Sequence, residues 1–173
     1  EKGVNYKLVE SKLLYVAPTT RNDFTTFIKN HEGAEGDKTI RALFDCLKLT
    51  DKDNAETYYR LFKKWYCGIA GSMLGGINVT QLILTGAKNK GKTEFFRYLL
   101  PDDLSEYYCE EPDYHGTDGK KNWATRLLIL DDELTMYDKK FVKMFKTTMS
   151  KTFFTLRLPY ARIEYDFKRY ATF

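Results

Sequence analysis

The sequence predicts an α/β fold, a largely parallel sheet with flanking helices behind a mostly helical lead, and three observations carry that reading. A compact apolar run, Val79 to Thr85, passes directly into a glycine-rich turn and then a helical pattern, Lys92 to Leu100, stopped by Pro101. A second apolar run, Leu127 to Asp131, leads into the acids Asp132 and Glu133. Ahead of both, the apolar spacing is helical. The organisation expected is a helical lead over residues 1–76 and an α/β core over 77–173.

Taken in order, residues 1–20 have weak patterning and receive no element. Asn22 or Asp23 can cap a short helix through Asn30, with His31 at its end, interrupted by Gly33 and Gly36. Lys38 to Leu47 reads as a second helix on Ile40, Leu43 and Phe44. From Asn54 the spacing of Tyr58, Leu61, Phe62, Trp65 and Ile69 fits an amphipathic helix ending before Gly75 and Gly76, its aromatic stripe read as core. In the core, Ser105 to Cys109 is a short strand, Thr117 to Arg126 a helix, and Asp138 the cap of a helix to about Met149. Thr152 to Leu158 and Ile163 to Phe173 are strands joined through Pro159, Tyr160 and Ala161, the last residues returning toward the main sheet.

The composition excludes several classes. No apolar run approaches the roughly 18 residues that span a bilayer, and Glu1 to Lys7 lack the basic start and apolar stretch of a secretory signal, so no membrane role is expected and the cytoplasm is the default. Cys46, Cys67 and Cys109 are widely spaced and read as buried, reduced thiols. His31 and His115 are too isolated for a histidine-based metal site. Charge is uneven. Residues 139–173 hold nine Lys or Arg against Glu164 and Asp166, a net of +7, which leaves −3 for the rest of a chain whose total is +4. A basic segment of this kind steers polyanions and points toward nucleic acid.

The turn after the first apolar run reads Gly86-Ala87-Lys88-Asn89-Lys90-Gly91-Lys92-Thr93-Glu94 and fits G-x-x-x-x-G-K-[ST], at a strand end and a helix start. Glycines there permit positive φ and close backbone approach, so successive N–H groups can face phosphate oxygens. Lys92 would reach the β and γ phosphates and the Thr93 hydroxyl would bind magnesium. Lys88 and Lys90 are solvated or touch phosphate loosely. The cofactors expected are ATP and Mg2+.

Acids at a strand end are often only solvated, but Asp131, Asp132 and Glu133 follow this loop at the distance where a carboxylate can hold hydrated magnesium. One acid would serve the metal and another would polarise water as general base. The residues alone leave two registers open.

These motifs, with Phe95, Leu99 and Pro101 after the loop, Asp132-Glu133-Leu134, and Arg157-Leu158-Pro159-Tyr160-Ala161-Arg162, resemble the virulence-associated protein E family over roughly residues 22–173. Ala161 stands where that family usually has glycine. The resemblance implies the P-loop helicase portion of primase-helicases of phages and mobile elements, related to superfamily 3 and AAA+ ATPases. It assigns Asp132 to the metal and Glu133 to the attacking water. It also implies ATP bound between subunits of a homo-oligomeric ring, with Arg157 and Arg162 as candidates for the arginine lent to a neighbour. A primase domain in the same polypeptide and a sensor residue beyond Phe173 are expected too, so that the chain is a fragment of a larger protein.

The function expected is therefore an ATPase that drives a DNA helicase, acting on single-stranded or forked DNA. Lys151, Arg157, Arg162, Lys168 and Arg169 form the expected DNA-binding set, interleaved with aromatics on a hairpin. Strand alternation places Phe153, Thr155 and Arg157 on one face and Phe154, Leu156 and Leu158 on the other. The alternatives are a nucleotide-gated DNA-binding or assembly module with little hydrolysis, and a P-loop kinase.

Overall fold

A computed structural model describes residues 23–33, 36–110, 112, 116–132, 139–157 and 162–173. The chain divides into two units, Glu1–Ala34 and Glu35–Phe173. In the first, helix α1 (Asp23–Asn30) ends where His31 turns back, its Nδ1 2.9 Å from the Phe27 carbonyl and its ring 4.2 Å from the Phe27 ring.

The second unit is mixed α/β with small sheets. Its elements are α2 (Gly36–Asp45), α3 (Ala55–Met73), α4 (Lys92–Arg97), a 3-10 helix (Asp102–Tyr107), β1 (Tyr108–Glu110), α5 (Gly116–Thr125), β2 (Leu128–Leu130), α6 (Lys139–Met149), β3 (Phe153–Leu156) and β4 (Tyr165–Lys168). β1 and β2 pair in parallel, Tyr108 opposite Leu128, and β3 and β4 pair antiparallel, Phe153 opposite Lys168. All three residues of β2 are buried, as a strand enclosed on both faces requires.

Residues 171–173 return beside β2, as the sequence suggests. Leu128 and Thr172 form a parallel bridge, Ile129 N donates to Thr172 O at 2.9 Å, and Thr172 N donates to Leu127 O at 2.9 Å. The next residue along a strand turns its backbone groups to the other neighbour, and the Phe173 carbonyl accepts from Leu82 N at 2.9 Å. The lateral order is thus β1, β2, the 171–173 segment, then Leu82.

The expected larger parallel sheet is reduced accordingly. Val79 to Thr85 forms no strand, because Leu82 N to Phe173 O is a single bond where a ladder needs several, and Val79 and Ile83 stay 59% and 52% exposed. The expected strand from Ser105 begins instead with the 3-10 helix, Leu104 N bonding Pro101 O. The helix after the glycine-rich loop stops at Arg97, in a turn where Leu99 N reaches Phe96 O. Asp138 and the joint at Pro159, Tyr160 and Ala161 lie outside the described residues.

The helices α2 and α3 share a unit with residues 77–173. Three bonds explain why. Trp65 Nε1 donates to Phe173 O at 2.7 Å, Tyr66 Oη to Leu99 O at 3.0 Å, and Asn78 Nδ2 to Trp65 O at 3.0 Å. The buried face of α3 is Tyr59, Phe62, Trp65 and Ile69, with Phe62 packed 5.6 Å from Phe44 and 6.2 Å from Phe95. Tyr58 and Leu61, expected on that stripe, face solvent, and Tyr58 Oη bonds the Asp51 carboxylate. A second core joins Trp123, Ile129, Phe145, Met149, Phe154 and Phe173. Each fully buried side chain of this size contributes roughly 1.5–3 kcal/mol.

The cysteines are free, as expected, but not buried. Cys46 and Cys67 are exposed, and Cys109 is half-buried on β1, where burial pushes its thiol up. No helix among the described residues is long and apolar enough to cross a membrane.

Candidate nucleotide site

Two glycines and an asparagine shape the loop between residue 85 and α4. Gly86 has φ 151°, Asn89 φ 57° and Gly91 φ 75°. A Cβ at Gly86 or Gly91 would meet nothing within 4 Å, so it is the dihedral and not space that calls for glycine. Gly91 is the N-cap of α4, and its carbonyl accepts from Phe95 N at 2.9 Å. The loop residues Gly86, Ala87, Lys88, Asn89, Lys90 and Gly91 are all exposed.

Lys92 curls over this loop, its ammonium donating to Gly86 O at 3.1 Å and Ala87 O at 2.7 Å. Thr93 Oγ1 donates to Asp132 Oδ2 at 3.1 Å, across 39 residues of sequence. That contact arises because the loop and the acids both leave the carboxyl ends of segments that flank residues 171–173 on either side, where α/β sheets form their crevices. Leu82, Leu84, Lys92, Thr93, Leu130 and Asp132 line the cleft between them. Asp131 is half-buried at its edge, and Asp132 is exposed. Glu133, named as the general base, lies outside the described residues.

The donor set fits a hard divalent cation. A threonine hydroxyl and a carboxylate within hydrogen-bonding distance of each other are oxygen ligands of the kind Mg2+ takes beside phosphates, with water completing the shell.

Glu94 does not face the loop; its Oε1 accepts from Arg97 at 2.5 Å. The Arg97 Nε and second terminal nitrogen then fork onto both Glu110 oxygens at 2.5 and 3.0 Å, tying α4 to the end of β1. Arg97 beside it holds the Glu110 carboxyl below its usual range. The sequence reading did not find this brace. Glu94 and Arg97 are legible as an i, i+3 pair, but Glu110 has no local signal.

The expected DNA-binding set is divided by the structure. Lys151, Arg157 and Arg162 are exposed. Lys168 donates to the Gly75 carbonyl. Arg169 is contradicted as a DNA contact. It is 1% exposed and donates to Lys151 O at 3.1 Å, Ala171 O at 2.7 Å and Asn78 O at 2.8 Å, with burial lowering it to about 10. Its position follows from three carbonyls that no ladder satisfies. The predicted faces of β3 hold, with Phe153, Thr155 and Arg157 exposed and Phe154 and Leu156 buried, while Leu158 lies outside the described residues.

Neither the curated proteins nor the solved structures gave a match to this chain. The family model of the virulence-associated protein E-like domain matches residues 28–173, which takes in α2, the loop at Gly86–Thr93, the acids after β2 and the hairpin. With its phosphate-loop motif and its acid-ended strand inside that match, the chain belongs to the virulence-associated protein E-like family.

Proposed function

We propose that this chain binds ATP with magnesium at Gly86–Thr93 and hydrolyses it, as the motor of a DNA helicase or primase-helicase of a phage or other mobile element. The observation that carries the reading is the 3.1 Å contact of Thr93 Oγ1 with Asp132 Oδ2, which joins the loop motif to the acids at one sheet end. The phosphates would lie along the exposed N–H groups of residues 86–91. Lys92 would leave the Gly86 and Ala87 carbonyls to lie against the β and γ phosphates. Thr93 and Asp132 would hold the cation, which screens phosphate charge when bound. Water oxygen attacks the γ phosphorus, the bond from that phosphorus to the β-bridging oxygen breaks, and Glu133 takes the water's proton. ADP and inorganic phosphate leave, with no change of oxidation state.

Nucleotide binding tests this reading directly. Titration of a fluorescent ATP analogue with Mg2+ should show Lys92→Ala weakened at least about tenfold, the range of one hydrogen bond to a charged group. Asp132→Asn should lose chiefly the magnesium-dependent part of the affinity. Equal affinity in Lys92→Ala and parent, both folded by thermal melt, overturns the site. Tight binding with no phosphate release, with or without single-stranded DNA, selects a nucleotide-gated module instead.

A further inference from the structure

A run of unneutralised charge lies not on the hairpin but on α6. Its sequence holds no acid, and Lys139, Lys143 and Lys146 recur at i, i+4 and i+7 on one exposed face. The opposite face is fixed, with Phe145 and Met149 buried beside Trp123, Phe154 and Phe173. Three cations of the earlier elements are paired instead: Lys63 with Asp37, Arg41 with Glu56 and Asp45, Arg97 with Glu94 and Glu110. Lys139, Lys143 and Lys146 have no ion pair among the described residues, and neither does Lys151 in the turn after the helix. Like charges one helical turn apart repel, and among the described residues no acid pairs with these lysines to offset that cost.

We propose that this face of α6 binds single-stranded DNA, with Lys139, Lys143, Lys146 and Lys151 on the phosphates and Phe153 under an unpaired base. From Lys139 to Lys146 the helix advances about 10 Å at about 1.5 Å per residue, which matches about three nucleotides of one strand. Phe153, two residues beyond Lys151, is 57% exposed, a ring available for stacking that a duplex would not use. The surface is wrong for a lipid bilayer. Its remaining exposed groups include Thr147 and Ser150, whose hydroxyls bond the Lys143 and Lys146 carbonyls, and the apolar face that would enter a bilayer is committed to the core. The hairpin is the weaker polyanion surface, since Glu164 and Asp166 are exposed on it and Arg169 is buried. DNA as the partner rests on the function proposed above, but the lysine face does not depend on the nucleotide site.

The test is anisotropy of a labelled oligo-dT across a salt series. Removing one lysine from a phosphate lowers the slope of log affinity against log salt by about 0.7 for single strands, so Lys143→Ala with Lys146→Ala should lower it by about 1.4. Arg157→Ala with Arg162→Ala should lower it less. Phe153→Leu should weaken oligo-dT and leave a duplex of equal length unaffected. Affinity for the ATP analogue should survive the α6 double change, and Lys92→Ala should keep the DNA slope, so the two readings fail separately. Thermal melts confirm folding, which these exposed positions should not disturb. An unchanged slope in the folded α6 variant overturns the proposal. So does a parent chain that binds phosphatidylserine vesicles through these lysines and does not bind oligo-dT.

Discussion

Replacing Arg169 with alanine should destabilise the chain by about 4 kcal/mol rather than weaken a ligand contact. Its guanidinium donates to three carbonyls, of Lys151, Ala171 and Asn78, and hydrogen bonds to a charged group contribute about 1.5–3 kcal/mol each, so about 4–9 in all. Against this stands desolvation. Burial lowers the group from arginine's usual value to about 10, a gap worth about 3 kcal/mol at about 1.36 kcal/mol per pH unit. The difference, about 1–6 kcal/mol, is above the roughly 0.5 kcal/mol of a typical surface change. With a urea slope of about 2 kcal/mol per molar, the unfolding midpoint should fall by about 2 M. Arg169→Lys should recover part of this, because one ammonium cannot reach all three acceptors. A midpoint within about 0.3 M of the parent for Arg169→Ala would refute the structural account and return the residue to the surface.

Two further outcomes follow from close packing and from one ion pair. In Gly68→Ala the new Cβ would stand 2.4 Å from Asn78 Nδ2, so the side chain that bonds Trp65 O and Thr80 must move. Overpacking of this kind costs about 1–3 kcal/mol and should outweigh the up to about 1 kcal/mol that alanine adds in a helix, giving a lower melting temperature; a rise would refute the close approach. The Glu110 carboxyl is held low by Arg97, so its contribution to stability is present above the ordinary glutamate value near 4.5 and is lost as pH falls through its lower folded value. Urea midpoints at pH 7, 4 and 3 should therefore fall less steeply for Arg97→Gln than for the parent, and parallel falls would remove the Arg97–Glu110 brace from the acid response.

The glycine-rich loop was legible as a turn because its glycines answer a local demand: positive φ at Gly91 needs no knowledge of the rest of the chain. The burial of Leu127–Leu130 was legible for a similar reason, an unbroken apolar run having no polar face to present. Arg169 was misread because a sequence records charge but not depth. What draws it inward are three carbonyls from segments 18, 2 and 91 residues away in the chain. Val79–Thr85 has strand composition but found one backbone partner, and composition cannot supply a ladder. The lysines of α6 were counted in the charge of the C-terminal segment, yet only the burial of Phe145 and Met149 shows which way they face.

The Phe173 carbonyl accepts both from Trp65 Nε1 and from Leu82 N, closing contacts that span 108 residues in the first case. During synthesis the glycine-rich loop leaves the ribosome long before that acceptor exists. Until residues 171–173 arrive, β2 has only β1 beside it, and the approach to the loop has no backbone bond to seat it. Contacts so distant in sequence close late, since the loop-closure entropy must be overcome first. The loop that carries Lys92 and Thr93 would therefore be among the last parts of the second unit to acquire a fixed position, and a nucleotide added during refolding should bind only after the near-ultraviolet signal of Trp65 has become native.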